Sequence, residues 1–215
     1  MDVEHHIEQY MEQYSEPEPP ILADLRRKTN LTMLRARMLS GHLQGQFLKM
    51  ICQIACVRRV LEIGTYTGYS AIAMAAALPV GGLLYTIDNN DELEDIVREY
   101  VEKSGFKDKI RFVMGDALEV IPSLEEEFDI VFMDADKRQY SDYYRLVFDK
   151  VRSGGLLIVD DVLWDGKVLN DEGIDGYQDA KTQGIIAFNE MLKQDDRVEK
   201  LMLPLRHGIY MIRKK

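Results

Sequence analysis

Cysteine is almost absent from this chain, with two in 215 residues, Cys52 and Cys56. Four apart on a predicted helix, they share a face but do not suit a disulfide, so reduced, buried thiols are expected. Long apolar runs are missing as well. None approaches the ~20 residues of a membrane span, and the start Met1-Asp2-Val3-Glu4-His5-His6 is acidic where a secretory leader is basic and then apolar. Positive charge is in deficit: 27 Lys and Arg against 37 Asp and Glu leave a formal net charge of −10. A field of that sign disfavours broad attachment to nucleic acid or anionic membrane, while leaving room for a local basic patch. The histidines, His5, His6, His42 and His207, show no joint metal-binding spacing, and no chemistry is assigned to them. These absences predict a soluble, cytoplasmic protein, and 46% hydrophobic residues suffice for one well-buried core.

What is present divides into a helical prelude, residues 1–57, and a core, 58–215, within a single domain. A helix over 2–14 is stopped by Glu16-Pro17-Glu18-Pro19-Pro20. Helical patterning resumes near Ile21, with Leu22, Leu25, Leu31, Leu34 and Met38 as a loosely apolar face, and again from Leu43 to Cys56. From Arg58 onward apolar runs alternate with helical segments, which predicts an α/β fold with a largely parallel sheet. Strands are expected at Arg59–Ile63, Leu83–Ile87, Ile110–Met114, Ile130–Met133 and Leu156–Val159, the last after a turn at Ser153-Gly154-Gly155. Helices are expected near Tyr69–Leu78, Asp91–Ser104, Ala117–Ile121 and Tyr140–Val151. Arg197–Leu203 and Gly208–Arg213 read as an antiparallel edge hairpin, bringing the sheet to seven strands.

The first strand enters Leu61-Glu62-Ile63-Gly64-Thr65-Tyr66-Thr67-Gly68-Tyr69-Ser70, a glycine-bearing turn before an alanine-rich helix. That layout lets a nucleotide approach the backbone at a helix N-terminus. Asp88, closing the next strand, stands where it can accept hydrogen bonds from both ribose hydroxyls; a tight turn with an acidic cap is the plainer alternative. The loop reads E-x-G-x-x-x-G and lacks the middle glycine that admits a pyrophosphate, which disfavours a nicotinamide-dependent oxidoreductase. No G-K-[ST] follows, which disfavours a nucleotide triphosphatase. S-adenosylmethionine has no phosphate and carries cationic groups that tolerate Glu62, so methyl transfer leads.

Acids close the later strands. Val131-Phe132-Met133-Asp134-Ala135-Asp136-Lys137 is answered by Val159-Asp160-Asp161, and carboxylates at strand C-termini face the ligand crevice of open α/β sheets. Four acids converging there repel one another unless a cation intervenes, so a hard-metal site is predicted, with solvated loop acids as the alternative. Asp134 and Asp136 share a side if strand geometry persists. Asp116 either approaches an adenine amino group or caps the following helix. Trp164, the only tryptophan, serves as a wall for a planar acceptor or as core packing. The polar, glycine-bearing stretch from Asn170 to Thr182 suits a lid. Arg26, Arg27, Lys28, Arg35 and Arg37 form a basic cluster that is either a solvated helix face or a contact for an anionic acceptor.

The Leu61–Ser70 loop, Phe128–Lys137 and Asp160-Asp161-Val162-Leu163-Trp164-Asp165-Gly166-Lys167-Val168 together resemble the cation-dependent class I O-methyltransferases, whose best-known members act on caffeoyl-CoA and catechols. The resemblance extends upstream to Glu16-Pro17-Glu18-Pro19 and Gly45-Gln46-Phe47-Leu48, and downstream to Met202-Leu203-Pro204 and Gly208-Ile209. It implies a Rossmann-like, doubly wound sheet behind N-terminal helices, and a homodimer. It implies that Met38, Ser40, Glu62, Gly64, Ser70, Asp88, Ala117 and Asp134 hold S-adenosylmethionine. Asp134, Asp160 and Asp161 would bind the divalent cation, Mg²⁺ first, with Mn²⁺ or Ca²⁺ as alternatives. Plant members carry Asn at the place of Asp161, so this set holds one more negative charge. Lys137 aligns with a catalytic lysine, with Asp134 beside it. Trp164 and Asp165 would meet the acceptor, although Asp165 departs from an Asn of the plant enzymes. The acceptor implied is a hydroxyl of a catechol-like or caffeoyl-CoA-like small molecule. Some bacterial relatives methylate a hydroxylated wobble uridine in tRNA, which makes tRNA 5-hydroxyuridine the alternative. An NAD-dependent oxidoreductase and a non-catalytic RNA-binding module remain as lower alternatives.

Overall fold

Prolines set the first boundary. In the computed structural model, which describes residues 3–169 and 179–215, helix α1 (Val3–Gln13) ends before them, and α2 (Pro20–Thr32) starts with proline in its first turn, where no N–H is needed. The chain then turns extended at Met33, passes a short 3-10 turn at Ala36–Met38, and enters α3 (Gly41–Ile54). Leu22 and Leu25 are buried as the periodicity predicts, but Leu31, Leu34 and Met38 are exposed. The helix has ended at Thr32, so its register no longer carries Leu34 and Met38 to the core, while Leu31, in its last turn, faces away from it. Cys52 is buried and its thiol is pushed up to about 12 by desolvation, whereas Cys56, expected buried, is exposed at a positive-φ helix end.

The core alternates strand and helix: β1 (Arg59–Ile63), α4 (Tyr69–Ala75), β2 (Leu83–Asp88), α5 (Glu94–Lys103), β3 (Ile110–Met114), α6 (Ala117–Ser123), β4 (Phe128–Met133), α7 (Tyr140–Phe148), β5 (Val151–Val159), α8 (Ala180–Lys193), β6 (Val198–Leu203) and β7 (Ile209–Lys214). The seven strands lie in the order β3-β2-β1-β4-β5-β7-β6, parallel except that β7 runs antiparallel to β5 and β6. Strand alternation feeds both faces. Val60, Leu84, Ile130, Phe132 and Ile158 pack with α2 to α5, while Leu61, Ile63, Val131, Met133, Leu157 and Val159 pack with α6, α7 and α8.

The structure departs from the sequence pattern at β5 and α8. Ser153-Gly154-Gly155 is not a turn before β5 but lies inside it; Gly154 takes φ +75 and the register with β4 shifts there, as in a β-bulge. Helix α8 was not foreseen, although its signals are local: Asp179 accepts from the N–H groups of Lys181 and Thr182, and Thr182, Ile185, Phe188 and Leu192 recur at helical spacing on the buried side. Most of the predicted lid, 170–178, lies outside the described residues. No described helix is long and apolar enough to cross a membrane.

Candidate active site

The strand order reverses between β1 and β4, and the crevice of such a sheet opens there at the C-terminal strand ends. Ladder hydrogen bonds continue one residue past each strand: Gly64 N–H donates to Ile87 O, Asp134 N–H to Ile63 O, and Asp160 N–H to Met133 O, at 2.9, 2.9 and 3.0 Å. These bonds bring Gly64, Asp88, Asp134 and Asp160 to one edge. Gly64 sits at φ +96, and a Cβ there would lie 2.0 Å from Asp134 O, so the loop crosses β4 where only glycine fits.

A cavity of about 1280 Å³ opens above this edge. Of the residues expected to hold the cofactor, Met38, Ser40, Gly64, Ser70, Asp88, Ala117 and Asp134 line it, as do Lys137, Asp160, Asp161, Trp164 and Asp165. Glu62 is the exception, buried below the lining with 0% exposure. Its Oε2 accepts from Thr86 at 2.5 Å, and its Oε1 has no hydrogen-bond partner among the described residues. Burial pushes its carboxyl up to about 8, against the opposing hydroxyls of Ser70 and Thr86. An orphaned carboxylate oxygen beside the loop fits the ammonium that S-adenosylmethionine carries. Asp88 holds the loop itself, its Oδ2 accepting from the N–H groups of Thr65 and Tyr66 at 3.0 and 2.8 Å, and its Oδ1 from Asn90 N–H. A carboxylate offers about four acceptor sites, which leaves capacity for a ribose hydroxyl. Asp116 takes the capping role, accepting from Leu118 N–H at 2.8 Å.

The acids separate by partner. Lys137, 7% exposed, places Nζ 2.7 Å from Asp134 Oδ1 and 2.7 Å from Asp161 Oδ2. Burial opposes its charge, but Tyr140 and these two carboxylates outweigh it and hold the ammonium protonated well above its ordinary range. Asp160, 3% exposed, has a raised carboxyl pKa because it is buried and faces the charges of Asp134 and Asp161, while Gln44 and Arg206 act against the shift. Asp136 lines the same cavity but does not join Asp134 in the Lys137 cluster. The chain turns after Met133, and Asp136 caps the next turn through Arg138 N–H and pairs with the Arg138 guanidinium.

Among the described residues no three His, Cys, Asp or Glu side chains form a ready cage for a metal ion, and an ammonium stands between two of the three expected ligands. By donor chemistry the set still fits a hard divalent cation, since its donors are carboxylate oxygens, Asp134 and Asp161 share one lysine, and Asp160 faces the charges of both.

Trp164 and Asp165 stand on consecutive left-handed residues, φ +46 and +53, in the turn after the acids. The Trp164 ring lies 5.8 Å from Lys137 Nζ and 5.4 Å from Lys167 Nζ, and its buried Nε1 has no partner among the described residues. Asp165 pairs with His207, a residue given no role from sequence that lines the cavity. Gln44 and Arg206 were missed as well, and no local pattern marks them; 116 residues separate Gln44 from the Asp160 it bonds. In the basic cluster, Arg26 is engaged by Glu18, while Arg35 and Arg37 reach the cavity wall.

A doubly wound sheet with a glycine loop and acids at its crevice is the architecture of Rossmann-like methyltransferases. Residues 11–215 match the family model described as O-methyltransferase. A caffeoyl-CoA O-methyltransferase of Petroselinum crispum is 37% identical over 179 residues, covering 80% of this chain and 74% of that protein. Caffeoyl-CoA O-methyltransferase 5 of Nicotiana tabacum is 36% identical, covering 80% and 75%. Among solved structures, the O-methyltransferase of Bacillus cereus in complex with SAH (S-adenosylhomocysteine) superposes with a TM-score of 0.89 at 29% identity, covering 98% of this chain and 97% of that one. The SAH-bound methyltransferase PaMTH1 of Podospora anserina gives 0.92 at 26% identity, covering 100% and 96%. The chain belongs to the class I S-adenosylmethionine-dependent O-methyltransferase family. That membership decides against the oxidoreductase and non-catalytic RNA-binding alternatives.

Proposed function

We propose that this chain transfers a methyl group to one hydroxyl of a catechol-like acceptor, with cation assistance, and that the acceptor carries negative charge, as an acyl-CoA ester does. The observation that carries the reading is Lys137 between Asp134 and Asp161 in a cavity walled by the glycine loop and Trp164. When bound, S-adenosylmethionine supplies the methyl group, and a divalent cation supplies charge that lowers an acceptor hydroxyl pKa from roughly 10. Met38, Ser40, Glu62, Gly64 and Ser70 would hold the methionine end, Asp88 the ribose and Ala117 the adenine. Asp134, Asp160 and Asp161 would hold the cation, Mg²⁺ before Mn²⁺ or Ca²⁺.

As an ammonium, Lys137 stabilises a developing phenolate by its charge. It becomes a proton acceptor at Nζ only when Asp134 and Asp161 are neutralised, because those carboxylates keep it protonated. Trp164 would stack on the acceptor ring, and Asp165, already bonded to His207, would border it.

The names of the plant relatives and the exposed Arg35 and Arg37 at the cavity wall favour an acyl-CoA ester. The same arginines suit the phosphates of tRNA, the second reading. We also infer a cytoplasmic homodimer. The deciding assay follows labelled methyl transfer from S-adenosylmethionine to a catechol panel, to caffeoyl-CoA and to bulk tRNA lacking the modification, with and without EDTA. Transfer to caffeoyl-CoA that EDTA abolishes is expected; full activity in EDTA overturns the cation reading, and transfer to tRNA alone overturns the acceptor.

A further inference from the structure

Gln44 of α3 is completely buried, and both ends of its amide are engaged. Its Nε2 donates to Asp160 Oδ2 at 2.6 Å, and its Oε1 accepts from Arg206 Nη1 at 2.5 Å. Arg206 also donates to the carbonyl of Ser40, and it occupies the turn between β6 and β7 at φ +51. That turn is zipped to the segment after the acids: Val162 N–H donates to Gly208 O, and the N–H groups of Leu163 and Trp164 to His207 O. The other oxygen of Asp160 accepts from Asp161 N–H at 2.8 Å.

We propose that Arg206 and Gln44 are positioning residues, a relay from the C-terminal turn that holds Asp160 in the orientation its cation requires; the inference rests on the cation reading above. An amide is nearly symmetric in shape, and only its hydrogen bonds decide which end faces which partner. Arg206 has donors and no acceptor, so it selects Oε1, and Nε2 is thereby turned toward the carboxylate. Without Arg206 the amide is free to flip and set its oxygen against Asp160. Partners of this kind behind metal ligands typically control affinity by about 10- to 100-fold when removed.

The test measures Mn²⁺ binding to the cofactor-free protein by electron paramagnetic resonance, with no acceptor present, and SAH affinity by calorimetry in parallel. Arg206→Met and Gln44→Leu should each weaken Mn²⁺ about 10-fold; Gln44→Leu, which does not touch Ser40, should leave SAH affinity unchanged. Arg206→Lys, which keeps a donor for Oε1, should restore most of the loss. The double variant should bind no more weakly than Gln44→Leu alone, since both act along one path. Unchanged Mn²⁺ affinity in Arg206→Met, or losses that multiply in the double variant, overturns the relay. Should Gln44→Leu fail to fold, the exposed Arg206 pair of variants decides. A wild-type protein that takes up no Mn²⁺ overturns the cation reading itself, an outcome distinct from a relay failure.

Discussion

Glu62 shows how a single carboxyl reports on its cofactor. Its folded pKa is raised from 4.5 to about 8 by burial, so between those values the folded chain keeps a proton that the unfolded chain releases. The stability tied to that proton is complete below the unfolded value and is lost as pH rises through about 8. Melting temperatures of cofactor-free protein should therefore fall from pH 5 to pH 9, and Glu62→Gln should flatten the decline while weakening SAH binding. Parallel melting curves for the two proteins would refute this. Lys137 carries the opposite charge problem. Lys137→Met leaves Asp134 and Asp161 facing each other without a counter-charge, so its metal-free form should melt below the wild type, and Mg²⁺ should recover more stability in the variant than in the wild type. A calorimetric scan with and without Mg²⁺ checks both signs.

At the scale of elements, glycines set how closely segments approach the site. Gly184 on α8 packs against the backbone before α7, where an added Cβ would meet Lys137 O at 2.4 Å and Arg138 Cα at 2.8 Å. Backbone cannot yield as a side-chain tip can, so Gly184→Ala should cost about 1–3 kcal/mol in urea denaturation, and it should reduce activity by shifting Lys137. A loss of stability with unchanged activity would place the packing elsewhere. The strands of the core were legible because each is a short apolar run ended by an acid or a glycine. The β5 bulge was not, since Ser153-Gly154-Gly155 reads equally as turn or bulge until β4 lies beside it. Helix α8 had a readable cap at Asp179, obscured by the polar stretch before it. Leu34 and Met38 fit a helical stripe, and only the end of α2 at Thr32 takes them out of it.

For the whole molecule, charge is distributed unevenly. The chain is acidic overall, yet Arg35 and Arg37 stand at the cavity wall. Replacing both by Glu should raise the KM for an acyl-CoA ester severalfold while changing the KM for a free catechol little; equal effects on both acceptors would remove the arginines from recognition. Light scattering should give twice the chain's mass if the inferred homodimer forms, and a monomer would overturn that inference. The sequence alone determined the α/β class, the glycine loop, and the acids at strand ends, because each depends on neighbours within a few residues. Tertiary structure decided the partners: which acids Lys137 joins, which way Asp136 turns, and that Gln44 and Arg206 converge on Asp160. The contacts of Gln44 with Asp160 and Arg206 span 116 and 162 residues of chain, and hydrogen bonds over such separations leave no local periodicity to read.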